Sequence, residues 1–186
     1  DIQYAFCDCW LITSVMHVDS DDIDWNEPDT DERATTFRRK RLSAATDAKD
    51  IGCSLYELPP GNRSWPYHYH EANEEAIYVL SGTGTIRLQD STHALSAGDY
   101  VSLPAGETGG HRVINDSDDD ITLRYLAIST MQDPDVVIYP DMDKLGVYTG
   151  TPPGRHEGRK LTKYYPENAD VDYWSEKPKK SEADPE

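Results

Sequence analysis

Short β-strand patterns separated by turn residues fill the region between residues 53 and 130, and they limit the fold more than any other feature of the sequence. Runs of three to ten residues, mostly apolar or β-branched, alternate with clusters of glycine, proline and aspartate. No amphipathic helical pattern lies between them. The predicted strands are CSLYEL (53–58), AIYVL (76–80), TIRLQ (85–89), ALS (94–96), YVSLP (100–104), HRVIN (111–115) and ITLRYLAIST (121–130). This pattern is typical of an all-β sandwich or barrel.

Two glycines of this region mark predicted turns. Gly82 follows the second predicted strand within Ser81-Gly82-Thr83-Gly84, and Gly98 directly precedes Asp99. Because glycine reaches positive φ without the steric cost of a side chain, we expect a hairpin at Gly82 and a positive φ at Gly98. The glycines form neither a P-loop nor a dinucleotide-binding pattern.

The segments on either side of this region are polar, and we interpret them as arms rather than as further domains. Residues 16–52 form an acidic N-terminal arm, whose basic run Arg38–Arg41 we expect to pair with neighbouring carboxylates. Residues 53–140 form the predicted barrel, with VVIYP (136–140) as one more strand. Residues 141–186 form a C-terminal arm and tail, whose isolated aromatic residues favour docking on the barrel or on a neighbouring subunit over full disorder.

The first fifteen residues differ from everything that follows them. They contain no lysine or arginine and only two acidic residues. A secretory signal needs a basic start and an uninterrupted apolar centre, and Asp8 interrupts the centre. We therefore expect the biological start to be Met16, with residues 1–15 as a non-native or mis-assigned extension.

Charge and cysteine content exclude several functional classes. The chain has 35 acidic and 18 basic residues, for a net charge of −17, so its surface repels nucleic acids and anionic lipids. Strong acidity with few lysines is also typical of proteins from a salt-rich cytoplasm, where ions screen the self-repulsion. Three cysteines are too few for a disulfide framework, and Cys7-x-Cys9 lacks a second ligand pair at zinc-site spacing. The odd number of cysteines favours a reducing compartment, so the sequence predicts a cytoplasmic protein, and no run is long enough for a membrane helix.

Three histidines and a glutamate stand where such strands could bring them together. His68 and His70 are two residues apart, so both imidazoles lie on one face of a strand. Glu75 heads the next predicted strand, and His111 opens a later one after the glycine-rich loop 106–110. In a small closed barrel these four side chains can converge on one interior point. Such a set suits a single divalent transition metal (Fe, Mn, Ni, Co, Cu or Zn) and leaves positions open for substrate or water.

Turn residues flank these ligand candidates at fixed spacings. The two blocks read Gly61-x6-His68-x-His70-x4-Glu75-x6-Gly82 and Gly98-x5-Pro104-x-Gly106-x4-His111-x3-Asn115. They closely resemble the two signature motifs of the cupin superfamily, and the resemblance covers residues 53–130. It implies a single antiparallel jelly-roll barrel (a double-stranded β-helix), with His68, His70, Glu75 and His111 as ligands of one metal. The second motif differs from that of many cupins, because four residues separate Gly106 from His111.

Glu74 is the alternative to Glu75 as the carboxylate ligand. Neighbouring residues on a strand face opposite ways, so only one of the two can join the histidines. Strand alternation does not decide between them, because residues 76–80 are apolar on both faces. The six-residue spacing to Gly82 favours Glu75, and we expect Glu71 to be solvated.

The resemblance implies two classes of function. The first is an enzyme of the dioxygenase, sugar isomerase, decarboxylase or lyase type, acting on a small and often anionic metabolite. Arg87, Arg112 and Arg124 are candidate cations for such a substrate, and the alternative for each is a pair with a surface carboxylate. The second class is a non-catalytic module, a sensor or accessory protein that binds a small molecule or a metal. Small cupins often pair through barrel edges or exchange terminal strands, so we also expect a homodimer.

Overall fold

The computed structural model of the chain describes residues 14–27, 36–118, 120–151 and 158–175. These residues form twelve strands and no α-helix. The strands are β1 (Arg38–Arg41), β2 (Ile51–Leu58), β3 (Tyr69–His70), β4 (Glu75–Ser81), β5 (Thr83–Leu88), β6 (Thr92–Ser96), β7 (Tyr100–Leu103), β8 (His111–Ile114), β9 (Leu123–Thr130), β10 (Asp135–Tyr139), β11 (Lys144–Thr149) and β12 (Leu161–Pro166). Cys7, Cys9 and most of the predicted 1–15 extension lie outside the described residues.

The strands form three antiparallel sheets around one interior. The largest sheet has the order β1-β2-β9-β4-β7, and it faces a four-stranded sheet (β12-β11-β10-β3) and a three-stranded sheet (β6-β5-β8). All pairings in these sheets are antiparallel. The predicted all-β, antiparallel jelly-roll barrel is therefore confirmed.

Alternation along the strands places apolar side chains inside the barrel. Strand β9 turns Leu123 and Tyr125 inward, and β4 turns Ile77 and Val79 inward. The ring of Tyr125 stacks on that of Tyr56 in the neighbouring strand β2, with 5.0 Å between centroids. Burial of these side chains supplies the main favourable free energy of the fold, roughly 1.5–3 kcal/mol for each large apolar group.

Every predicted strand appears in the structure, and three strands appear in segments that the sequence indicated as polar. Strand β1 lies in residues 16–52 and pairs with β2, while β11 and β12 lie in residues 141–186 and extend the sheet of β10. The run RRKR has no apolar alternation, so its sequence carries no signal for the strand that it forms. The helical segments of the described residues are 3-10 turns of three residues, and none is long enough to cross a membrane.

Candidate metal centre

The four predicted ligand residues lie close together inside the barrel. His70 ends β3, Glu75 begins β4 and His111 begins β8, while His68 precedes β3 by one residue. A pair of backbone hydrogen bonds joins His68 to His111, with N–O distances of 2.9 and 3.2 Å. All three histidines are at most 9% exposed. The four residues belong to strands of all three sheets or directly precede one, and the fold brings their side chains to one point.

The side-chain atoms of the cluster are within reach of a single ion. Glu75 Oε2 lies 3.6 Å from His70 Nε2 and 3.5 Å from His111 Nε2. The ring of His68 lies 4.8 Å from that of His111 and 5.3 Å from that of His70, between centroids. One potential ligand atom each from His68, His70 and Glu75 all fall within 4.8 Å of one another.

Hydrogen bonds hold all three imidazoles in one tautomer. His68 Nδ1 donates to the Pro66 carbonyl (2.8 Å), and His111 Nδ1 donates to the Gly109 carbonyl (2.9 Å). His70 Nδ1 donates to Asp135 Oδ2 (2.6 Å). With the proton on Nδ1, each neutral ring presents a lone pair at Nε2. Three nitrogen lone pairs and one carboxylate form a donor set that fits a divalent transition metal.

Burial also favours the neutral, metal-binding form of two of these rings. Removal from water lowers the pKa of His68 well below its ordinary value and lowers the pKa of His111. At His70 burial acts in the same direction, but the carboxylates of Glu75 and Asp135 outweigh it and raise its pKa. Positive charge between His70 and Glu75 is therefore stabilised, and a metal cation there would gain the same attraction.

Glu75, rather than Glu74, faces the histidines. Glu74 and Glu71 are exposed, and Glu75 is 20% exposed at its side chain. Alternation along β4 explains the difference, because Glu75 lies on the same face of the strand as the buried residues Ile77 and Val79. Its side chain points to the inner face, and that of its neighbour points away.

The unusual spacing before His111 is taken up by a compact turn. Residues Glu107–Gly109 form a 3-10 turn, in which Gly109 and Gly110 donate to the carbonyls of Gly106 and Glu107. Gly106 begins the turn at φ 85°, and its amide donates to the His70 carbonyl. The loop is thus anchored to β3, and the chain enters β8 with His111 directed at Glu75.

Asp135 is a component of the site that the sequence did not indicate. It is 1% exposed, and its Oδ1 accepts from the Ala72 amide while its Oδ2 accepts from His70. Asp135 lies 65 residues after His70, and a single aspartate at the start of a strand has no distinctive sequence signal. Only the pairing of β10 with β3 reveals its role, because Val137 opposite His70 brings the carboxylate alongside.

We expect the Asp135→Asn variant to bind metal about 10–100-fold more weakly than the parent, since it loses the acceptor that orients His70. Titration with Zn²⁺ against a chelating competitor measures the affinity. Asp133→Asn is the matched control, because Asp133 lies in the same connection but accepts from the Gly150 amide instead. Equal metal affinity in parent and Asp135→Asn would contradict the orienting role.

The cluster lies in a cavity of about 440 Å³ between the sheets. Beyond the four ligand candidates, its wall includes five tyrosines and four basic residues: Tyr56, Tyr125, Tyr139, Tyr148, Tyr164, Arg39, Arg41, Lys144 and Arg159. Tyr139 stacks on His68 with 5.9 Å between ring centroids. Aromatic and cationic side chains therefore share the cavity wall with the histidine cluster.

The arginines predicted to serve a substrate lie elsewhere. Arg87 forms a surface ion pair with Asp141, and Arg124 forms one with Glu57. Both arginine side chains are more than 40% exposed. Neither they nor Arg112 contribute to the cavity wall among the described residues. For Arg87 and Arg124 the alternative interpretation, pairing with surface carboxylates, is the correct one.

Comparisons with known proteins agree with this geometry. The family model for the Cupin domain matches residues 54–129. A solved structure from Acidithiobacillus ferrooxidans, provisionally described as a sugar phosphate isomerase, is 31% identical. The match covers 77% of this chain and 83% of that one, with a TM-score of 0.62. A search of curated proteins found no match.

Two further solved structures extend the likeness. A sugar phosphate isomerase of the cupin superfamily from Silicibacter pomeroyi is 25% identical over 72% of this chain and 87% of that one, with a TM-score of 0.64. A predicted oxalate decarboxylase from Thermotoga maritima is 25% identical over 62% of this chain and 98% of that one, with a TM-score of 0.52. Family model, identity and jelly-roll topology lead to the same conclusion: this chain belongs to the cupin superfamily.

Proposed function

We propose that the protein is a metal-dependent isomerase that interconverts the hydroxy-carbonyl forms of a small sugar-like metabolite. The observation that carries the proposal is the cluster of His68, His70, His111 and Glu75, in which the Nε2 atoms of His70 and His111 lie 3.5–3.6 Å from the Glu75 carboxylate, inside a cavity of about 440 Å³. A volume of that order accommodates a small metabolite beside an ion.

His68, His70, Glu75 and His111 would hold one divalent transition metal, either Fe, Mn, Ni, Co, Cu or Zn. Bound there, the ion would supply a Lewis acid that polarises a carbonyl or hydroxyl oxygen of the substrate. Asp135 would keep His70 in the correct tautomer throughout, and the buried barrel wall would exclude bulk water from the reacting end of the substrate.

Tyr139 is the protein group best placed to donate a hydrogen bond to a substrate oxygen. Its ring stacks on His68, and its hydroxyl contacts the Tyr148 hydroxyl at 3.2 Å. Burial raises the pKa of Tyr139 to about 12, so its hydroxyl stays protonated at neutral pH. The Tyr148 hydroxyl in turn donates to the Tyr164 hydroxyl at 2.9 Å, and these hydrogen bonds orient the three tyrosine hydroxyls.

Isomerisation is favoured over oxygenation or decarboxylation for two reasons. Two similar cupins, at 31% and 25% identity, carry the description of sugar phosphate isomerase. The reaction also needs only proton movements: one proton passes from the hydroxyl-bearing carbon to the carbonyl carbon, and one passes between the two oxygens. Atoms and electrons balance without oxygen or any other co-substrate.

The test is a substrate screen on protein reloaded with each candidate metal in turn. Aldose and ketose phosphates and their unphosphorylated forms are incubated in D₂O, and NMR follows interconversion and exchange of the C–H proton. The expected result is metal-dependent interconversion of one aldose–ketose pair. Stoichiometric metal with ligand-dependent stabilisation but no turnover of any pair would instead support the non-catalytic binding module.

A further inference from the structure

The basic run RRKR separates into two faces once it forms strand β1. Arg38 and Lys40 flank the ring of Trp25 on one face, at 4.5 and 4.7 Å from its centroid, and Arg38 also pairs with Glu57. Arg39 and Arg41 lie on the other face, where both contribute to the wall of the cavity. Strand alternation thus directs two of the four cations at the interior.

The contacts of Arg39 leave its charge available to a ligand. Its Nη1 donates to the Tyr56 hydroxyl at 3.3 Å, and its guanidinium lies 5.3 Å from the Trp65 ring centroid. A guanidinium has five N–H donors, so one bond to a neutral hydroxyl leaves others to be used. These aromatic contacts hold the side chain in place without neutralising it.

Two more cations reach the same cavity from the opposite sheet. Lys144 begins β11, and its ammonium lies 5.2 Å from the Tyr139 ring centroid and 5.5 Å from that of Tyr164. Arg159 precedes β12, lies 5.0 Å from the Tyr148 ring centroid and donates to the Thr162 hydroxyl at 3.0 Å. The Tyr139 ring therefore contacts both the Lys144 ammonium and the His68 imidazole.

The charge of the cavity wall is opposite to that of the whole chain. Acidic residues outnumber basic ones 35 to 18 in the sequence. Among the described residues that line the cavity, four are basic (Arg39, Arg41, Lys144 and Arg159) and one is acidic, the ligand candidate Glu75. A cationic cavity in an acidic protein focuses a positive potential on its own interior and attracts anions there.

We propose that Arg39, Arg41, Lys144 and Arg159 form a subsite for the phosphate monoester of the substrate. The proposal rests on the proposed function in one respect: the hydroxy-carbonyl group of the same ligand would lie at the histidine cluster. A phosphate monoester carries a charge of about −1.5 to −2 and three acceptor oxygens, which matches several cations. A planar guanidinium group binds two oxygens of a phosphate through paired N–H donors, whereas a carboxylate, with a charge of −1, is matched by one such cation.

The test measures binding of inorganic phosphate and of acetate by calorimetry at fixed ionic strength. Arg39→Met and Lys144→Met, on opposite sheets, are each expected to weaken phosphate binding about tenfold or more, the effect of losing one charge-assisted contact. Arg38→Met and Lys163→Met are the matched controls, since they remove the same charges from the neighbouring outward positions of β1 and β12. Circular dichroism verifies that each variant is folded, and two variants on separate sheets keep the test decisive if one of them unfolds.

A Glu75→Gln variant separates this subsite from the metal. Phosphate binding that persists in Glu75→Gln and fails in Arg39→Met and Lys144→Met supports the subsite, whether or not any isomerase activity is found. Binding that is lost in Glu75→Gln and kept in the two cation variants would mean that phosphate binds the ion, and it would overturn the proposal. Equal effects of the outward and inward variants, absence of phosphate binding, or tighter binding of acetate than of phosphate would also overturn it.

Discussion

Glu75→Gln is expected to abolish stoichiometric metal binding, while Glu74→Gln keeps it. Glu75 Oε2 lies 3.5–3.6 Å from the Nε2 atoms of His70 and His111, and Glu75 also has a ligand atom within 4.8 Å of one on His68. Glutamine has nearly the same shape but carries no charge, so the ion would lose its only anionic ligand. The expected loss of affinity is about 100-fold or more, beyond the effect of losing an outer hydrogen bond.

Elemental analysis of both variants, after equilibration with a metal and dialysis, measures this difference directly. Glu74 is the control because it is the adjacent residue, carries the same charge and is exposed on the other side of the strand. One equivalent of metal retained in Glu75→Gln would contradict the assignment of the carboxylate. Loss of metal in Glu74→Gln would mean that the effect comes from net charge rather than from coordination.

The barrel could be predicted because its signals are local. Most strands from β4 to β10 are rich in apolar or β-branched residues and are bounded by glycine, proline or aspartate, and all of these strands appear in the structure. The spacing His68-x-His70 likewise places two imidazoles together through strand geometry alone. Strand geometry alone did not predict that Glu75 points inward, because the residues that follow it are apolar on both faces. The position of β4 between β7 and β9 in the folded sheet determines which face is the inner one.

The remainder of the site depends on contacts between distant segments. Asp135 meets His70 only because β10 pairs with β3, and Lys144 reaches the cavity only because β11 pairs with β10. The strand formed by RRKR was missed for a related reason: its inward residues, Arg39 and Arg41, are cations, so the usual apolar alternation is absent. Hydrophobic periodicity detects only apolar alternation, so it gives no signal for a strand whose inward residues are charged.

Two glycines also show which features follow from the local sequence and which depend on distant segments. The sequence predicted a hairpin at Gly82 and a positive φ at Gly98, and the φ angles are 82° and 96°. The hairpin prediction was wrong, because the chain passes from one sheet to another at Gly82: β4 pairs with β7 and β9, and β5 pairs with β6 and β8. A Cβ built on Gly98 would meet nothing within 4 Å, but one on Gly82 would lie 2.6 Å from the Thr122 carbonyl oxygen and 2.9 Å from Leu123 Cα. The turn chemistry is visible in the sequence, whereas the close approach of the segment before β9 is not.

Gly82→Ala is therefore expected to destabilise the protein far more than Gly98→Ala. Positive φ costs an alanine roughly 1–2 kcal/mol at either position. At Gly82 the new methyl group also collides with backbone atoms next to Leu123, a core residue that is 0% exposed, and that backbone cannot move without opening the core. We expect an additional loss of about 2–3 kcal/mol in the free energy of unfolding, comparable to overpacking of a core.

Urea denaturation of parent and both variants measures these free energies. The two substitutions add the same methyl group at nearly the same φ, so the difference between them isolates the steric contact. Equal destabilisation would mean that the chain beside Leu123 yields to the methyl group. The large sheet would then be less tightly packed at the start of β9 than its contacts indicate, even though Leu123 and Tyr125 of that strand are buried core residues.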